Sequence, residues 1–114
     1  MKKIEAVIRR KVLGDLKNEL SKIGISGITI LEAGGFGQQR GHFGRKEDEN
    51  IDDEVYLVPK YKIEIVVTDE KSSEVINSIK KICYSGKPGD GKIFISSIED
   101  VIRIRTDESG EKAL

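Results

Sequence analysis

Seven consecutive residues, Gly86-Lys87-Pro88-Gly89-Asp90-Gly91-Lys92, have the composition of an anion cradle. Glycine lets backbone N–H groups turn inward and approach a phosphate closely, and a following lysine adds a point charge. The letters fit G-x-x-x-x-G-K, but a phosphate loop of that type continues with Ser or Thr and opens a helix. Here Ile93 follows and opens the strand-like run IFIS, so that reading fails on both counts. A plain strand connector with a solvated lysine competes with the anion cradle. Arg103 and Arg105 lie two apart in Val101–Arg105 (VIRIR), which reads as a strand, so they share one face. Neighbouring guanidinium groups repel unless an anion lies between them, and the planar fork suits phosphate. Salt bridges to Glu99 or Asp107, or a solvated face, are the alternative. Gln38, Gln39 and Arg40 lie within GGFGQQRGH, where an amide and a cation can bind a carboxylate and an amide oxygen can ligate magnesium. A flexible polar loop is the simpler account of them. His42 has no Cys or second His nearby and reads as a solvated loop residue, and Cys83 as a small core residue. These parts assemble no nucleophile, base and orienting acid, which leaves an enzyme without support.

The elements that must position these residues are legible from periodicity. Ile4, Ala6 and Ile8 alternate with polar residues over Lys3–Arg9, the pattern of a half-buried strand. Leu13, Leu16, Leu20 and Ile23 form one helical stripe, and Gly24 follows as its stop. Gly27–Leu31 (GITIL) reads as a strand. From Gly34 to Pro59 no period is sustained, and five glycines accompany the polar run RKEDENIDDE, whose acids Glu47–Asp53 read as a solvated face or a partner-docking surface. A structureless stretch this long in a compact domain is usually functional or disordered; its tail, Val55–Val58, is expected to pair as strand when ordered. Lys60–Val67 alternates again. Asp69 is the expected N-cap of a second helix, whose buried stripe is Val75, Ile76, Ile79, Ile82 and Cys83. Ile93–Ser96 and Val101–Arg105 read as strands, and the tail TDESGEKAL as frayed. The order strand, helix, strand, long loop, strand, helix, strand predicts an α+β, ferredoxin-like split βαβ domain (βαββαβ) spanning 1–114.

Composition narrows the function. A chain of 114 residues with 37% hydrophobic and 35% charged residues suits one small domain that gains from burying a face in an oligomer. Zero formal net charge argues against a general nucleic-acid binder. A single cysteine rules out an internal disulfide and suits a reducing compartment. The start MKKIEAVIRRK lacks the apolar run of a signal peptide, and no stretch is long enough to cross a bilayer, so a cytoplasmic location is expected.

Four motifs in order resemble the PII signal-transduction (nitrogen regulatory) family over nearly the whole chain. Gly86–Phe94 is similar to the family's B-loop with its GDGKIF core, and Val101–Thr106 to its C-loop VIRIRT signature. Gly35-Phe36-Gly37 with Gln39, Gly41 and His42 resembles the start of its T-loop. Pro59-Lys60 with Lys62–Val67 resembles the T-loop exit and next strand. The resemblance implies a homotrimer of ferredoxin-like subunits with ATP or ADP bound competitively between neighbours, a T-loop at about 36–59 and a tail at about 106–114. By position it implies nucleotide contacts from Thr29, Gly37, Gly89, Asp90, Gly91 and Lys92, with Arg103 and Arg105 supplied by the neighbour. It implies 2-oxoglutarate at Gln39, Arg40, Gly41 and Lys60, with Gln39 ligating magnesium together with ATP and the effector. Partner proteins, an enzyme or a membrane transporter, would be regulated through the T-loop; nucleic acid is not a partner, and a membrane is met only through a transporter.

The chain departs from the family pattern in its loop. Gly41 to Pro59 runs about two residues longer than usual by alignment of the motifs. Asp53 falls where the family has a modifiable tyrosine, Tyr56 is out of register, and no Ser or Thr lies between Gln38 and Lys60. Arg10 replaces an early proline, and Gln38 stands where a basic residue is common. Two other readings stay open: an adenylate energy sensor without a 2-oxoglutarate response, and a slow nucleotide hydrolase for which Asp90 is the only candidate base on the turn.

Overall fold

The computed structural model describes residues 1–36 and 57–114. The expectations placed on Gly37, Gln38, Gln39, Arg40, Gly41, His42, Glu47–Asp53 and Tyr56, and on most of the T-loop, lie outside the described residues.

β1 (Lys2–Arg9) alternates as its sequence demands, with Ile4, Ala6 and Ile8 buried. A 3-10 turn (Arg10–Val12) leads into α1 (Leu13–Lys22), which buries Leu16 and Leu20. Gly24 follows with φ +88°, the left-handed geometry that ends a helix at glycine. β2 (Thr29–Gly35), β3 (Val58–Val67), α2 (Asp69–Cys83) and β4 (Ile93–Ser97) complete the core. The strands form one antiparallel sheet in the order β2-β3-β1-β4, so β3 splits the β1-α1-β2 unit in the ferredoxin-like manner. Both helices cover one face, where Ile4, Ile8, Ile63 and Ile65 meet Leu16, Leu20, Val75 and Ile79. The opposite face carries Lys3, Glu5, Lys62 and Glu64, ion-paired within and across β1 and β3 at 3.0 to 3.7 Å.

The structure corrects four expectations. β2 starts at Thr29 rather than Gly27 and runs to Gly35, because Ala33, Gly34 and Gly35 pair with Lys60, Pro59 and Val58. Pro59 is tolerated there because β1 ends at Arg9, opposite Lys60. The N-cap of α2 is Thr68, whose hydroxyl accepts the Lys71 N–H at 3.3 Å. Asp69 instead sits in the first turn, 3.1 Å from the N-terminal ammonium. Val101–Arg105 is not a strand, because β1–β4 pairing ends at Lys2–Ser97 and leaves it no ladder to join. The chain there bridges only Ile102 to Ser109 and reverses, with the Asp107 N–H donating to Arg103 O at 2.8 Å and Asp107 at φ +61°. The tail is folded rather than frayed: Gly110–Ala113 forms a 3-10 turn and Ala113 is buried.

Candidate functional site

The turn between α2 and β4 is shaped by its glycines and held by its aspartate. Gly86, Gly89 and Gly91 have φ of +80°, +109° and +88°. The Asp90 carboxylate accepts from the Ser85 N–H at 2.7 Å, the Gly86 N–H at 3.0 Å and the Ser85 hydroxyl. Those bonds, the Ser85 hydroxyl foremost, hold its pKa below the ordinary carboxylate range. A carboxylate committed in this way folds the turn and makes a poor general base.

Three contacts fasten the turn to the sheet. A Cβ on Gly91 would stand 2.2 Å from the Val7 carbonyl oxygen, so only glycine fits. Arg9 Nη2 lies 3.7 Å from Asp90 and donates to Cys83 O at 2.9 Å, linking the turn to the end of α2. The Lys60 ammonium donates to Gly89 O at 3.0 Å. Lys60 is buried, 5% exposed, and burial first and Arg9 second push its pKa down. Arg9 Nε is buried and has no hydrogen-bond partner among the described residues. A depressed lysine, an orphaned guanidinium nitrogen and a glycine turn at one strand end form a setting short of negative charge. A phosphate or carboxylate fits it, with exposed Lys92 at the rim.

The arginines lie elsewhere. Arg103 Nη2 donates to Leu114 O at 3.1 Å, and Leu114 lines a cleft of about 360 Å³ with Gly27, Val66, Val67 and Thr68. That cleft adjoins the Lys2–Val67 end of the β1–β3 ladder, whereas Lys60 and the glycine turn sit at the Arg9 end. The two ends are about 23 Å apart at a strand's rise per residue. Arg105 is exposed in the reversal after Arg103 and does not share a strand face with it. Thr29, exposed, pairs with Glu64, four residues along β3 from Lys60. Within one chain, Lys60, Gly89, Asp90, Gly91 and Lys92 are gathered, and Thr29, Arg103 and Arg105 are not. Glu108, at 3.6 Å, takes the place expected of Glu99 or Asp107 as the acid beside Arg103. Sequence reasoning also passed over Arg9 and Ser85. The serine had a signal, since Ser and Asp at the two ends of a glycine turn commonly bond across it.

Among the described residues no three or more His, Cys, Asp or Glu side chains gather as a metal site would require, and no helix is long and apolar enough to cross a membrane.

A family model described as nitrogen regulatory protein P-II matches residues 1–108. The chain is 45% identical to the nitrogen regulatory protein P-II of Rhizobium meliloti and 42% identical to the nitrogen regulatory protein GlnK of Escherichia coli, each alignment covering 100% of both chains. Among solved structures it resembles the GlnK–ATP complex of B. subtilis, with a TM-score of 0.78 and 35% identity over 99% of this chain and 96% of that one. It also resembles Arabidopsis thaliana PII bound to citrate, with a TM-score of 0.80 and 38% identity over 99% and 91%.

Proposed function

The chain belongs to the nitrogen regulatory protein P-II family of signalling proteins, and we propose that it senses ATP or ADP together with 2-oxoglutarate and reports the result to a partner protein through its T-loop. The separation of cations between the two sheet ends carries this reading. A polyphosphate that needs both the glycine turn and the arginines can reach them only where two copies meet, turn against reversal, which supports a homotrimer with shared clefts. Gly89, Asp90, Gly91 and Lys92 then border the phosphates from one subunit, Arg103 and Arg105 approach from the next, and Thr29 and Gly37 lie toward the nucleoside. The relative solved with ATP supports the nucleotide.

Lys60 supplies a buried cation for a carboxylate of 2-oxoglutarate, beside Gln39, Arg40 and Gly41 of the loop. The relative solved with citrate, another polycarboxylate, supports this anion chemistry. Magnesium held at Gln39 offsets phosphate charge when bound. Because Gln39 belongs to the loop and Lys60 follows its end, occupancy biases the surface that a partner meets. The partner is an enzyme or a transporter, the membrane is approached only through the latter, and the protein acts in the cytoplasm without catalysis, Asp90 being committed to its turn.

Calorimetric titration of Mg-ATP, followed by 2-oxoglutarate, tests the reading. Saturable heat from both is expected, with the second heat absent unless Mg-ATP is present. Heat from Mg-ATP alone leaves an adenylate sensor, and no heat from either overturns the proposal.

A further inference from the structure

We infer that the chain's own tail acts as an internal competitor for nucleotide phosphate, with the Glu108 carboxylate occupying the Arg103 guanidinium until a polyphosphate displaces it. The inference rests on the nucleotide reading above and adds a regulatory contact to it. The backbone builds the contact. Arg103 N–H donates to Glu108 O at 2.9 Å and Gly110 N–H to Val101 O at 3.0 Å, so the tail runs back along the segment that carries the arginine. Asp100 Oδ1 accepts the Gly110 N–H at 2.9 Å and the Val101 N–H at 2.8 Å, pinning the start of the reversal.

Side chains complete it. Glu108 Oε1 lies 3.6 Å from Arg103 Nη1 and accepts the Thr106 hydroxyl at 2.7 Å, which aims the carboxylate. Leu114 O accepts from Arg103 Nη2 at 3.1 Å, so two nitrogens of one guanidinium face tail oxygens. A carboxylate and a phosphate oxygen ask the same thing of a guanidinium, so they exclude each other there. Thr106, directly after the second arginine, thereby acquires a role: its hydroxyl positions the competitor.

Glu108→Gln removes the charge and leaves the backbone pairing intact. The ion pair is half exposed, with side chains 37% and 44% accessible, so the expected gain is modest. Titration of Mg-ATP should show Glu108→Gln binding about two- to fivefold tighter than the parent. The gain should shrink as salt rises and vanish in an Arg103→Ala background. Asp107→Asn, which removes a charge from the same tail but keeps both its backbone bond to Arg103 O and the Glu108–Arg103 pair, should bind as the parent does. Unchanged affinity in Glu108→Gln, or an equal gain in Asp107→Asn, overturns the inference while nucleotide binding stands. Absence of binding in both the parent and Glu108→Gln overturns the nucleotide reading and the inference with it.

Discussion

Asp90 accepts its hydrogen bonds as an anion, so the fold favours the charged form and depresses its pKa. A depressed carboxylate pKa contributes stability above the unfolded aspartate range, near pH 4, and the contribution is lost as pH falls through the lower folded value. Asp90→Asn should therefore unfold at lower temperature than the parent at pH 7 and show a flatter acid limb; parallel melting-temperature profiles from pH 7 to pH 3 would refute this assignment. Lys60 is the opposite case. Its ammonium bears a burial cost that one carbonyl and a distant carboxylate only partly offset. Lys60→Met keeps the length and apolar stem, so thermal melting should stay within a few degrees of the parent while the calorimetric response to 2-oxoglutarate disappears. A collapse in stability would make Lys60 a structural residue instead.

Among elements, the glycine turn and β1 depend on each other. Gly91→Ala meets both a positive φ and the Val7 carbonyl, and should cost about 2 kcal/mol or more in denaturant unfolding. The helices and the central strands were legible because their apolar periods answer to the core they build: Leu16 and Leu20 in α1, Val75 and Ile79 in α2, Ile63 and Ile65 in β3 all bury as their spacing demands. The alternation of Val101–Arg105 misled for the converse reason. Ile104 is fully exposed and Ile102 mostly so, and a period of two specifies a strand only when a neighbouring ladder receives it. Ala33–Gly35 escaped notice because glycines carry no pattern, although the backbone there pairs without interruption. Within the candidate site, Lys60 and the turn were visible as residue types. Their convergence with Arg9 was not, because it depends on the register that sets Arg9 opposite Lys60.

At the scale of the whole molecule, β2 and β4 are the edge strands of the sheet among the described residues. β4 exposes Phe94 (56%) and Ile95 (52%), and β2 exposes Ile30 and Leu31. Exposed apolar side chains on edge strands invite pairing or burial against another chain. Phe94→Lys should shift the mass measured by light scattering from three times 12.7 kDa toward the single-chain value and weaken ATP binding with it. A trimer that persists and still binds ATP would exclude β4 from the interface. The fastening of the glycine turn at Val7, Arg9 and Lys60 has a calorimetric corollary. A polyphosphate docking there finds its cradle already immobilised, so little chain freedom remains to be lost and little oily surface is covered. Association at that end should accordingly be driven by heat release, with a small change in heat capacity.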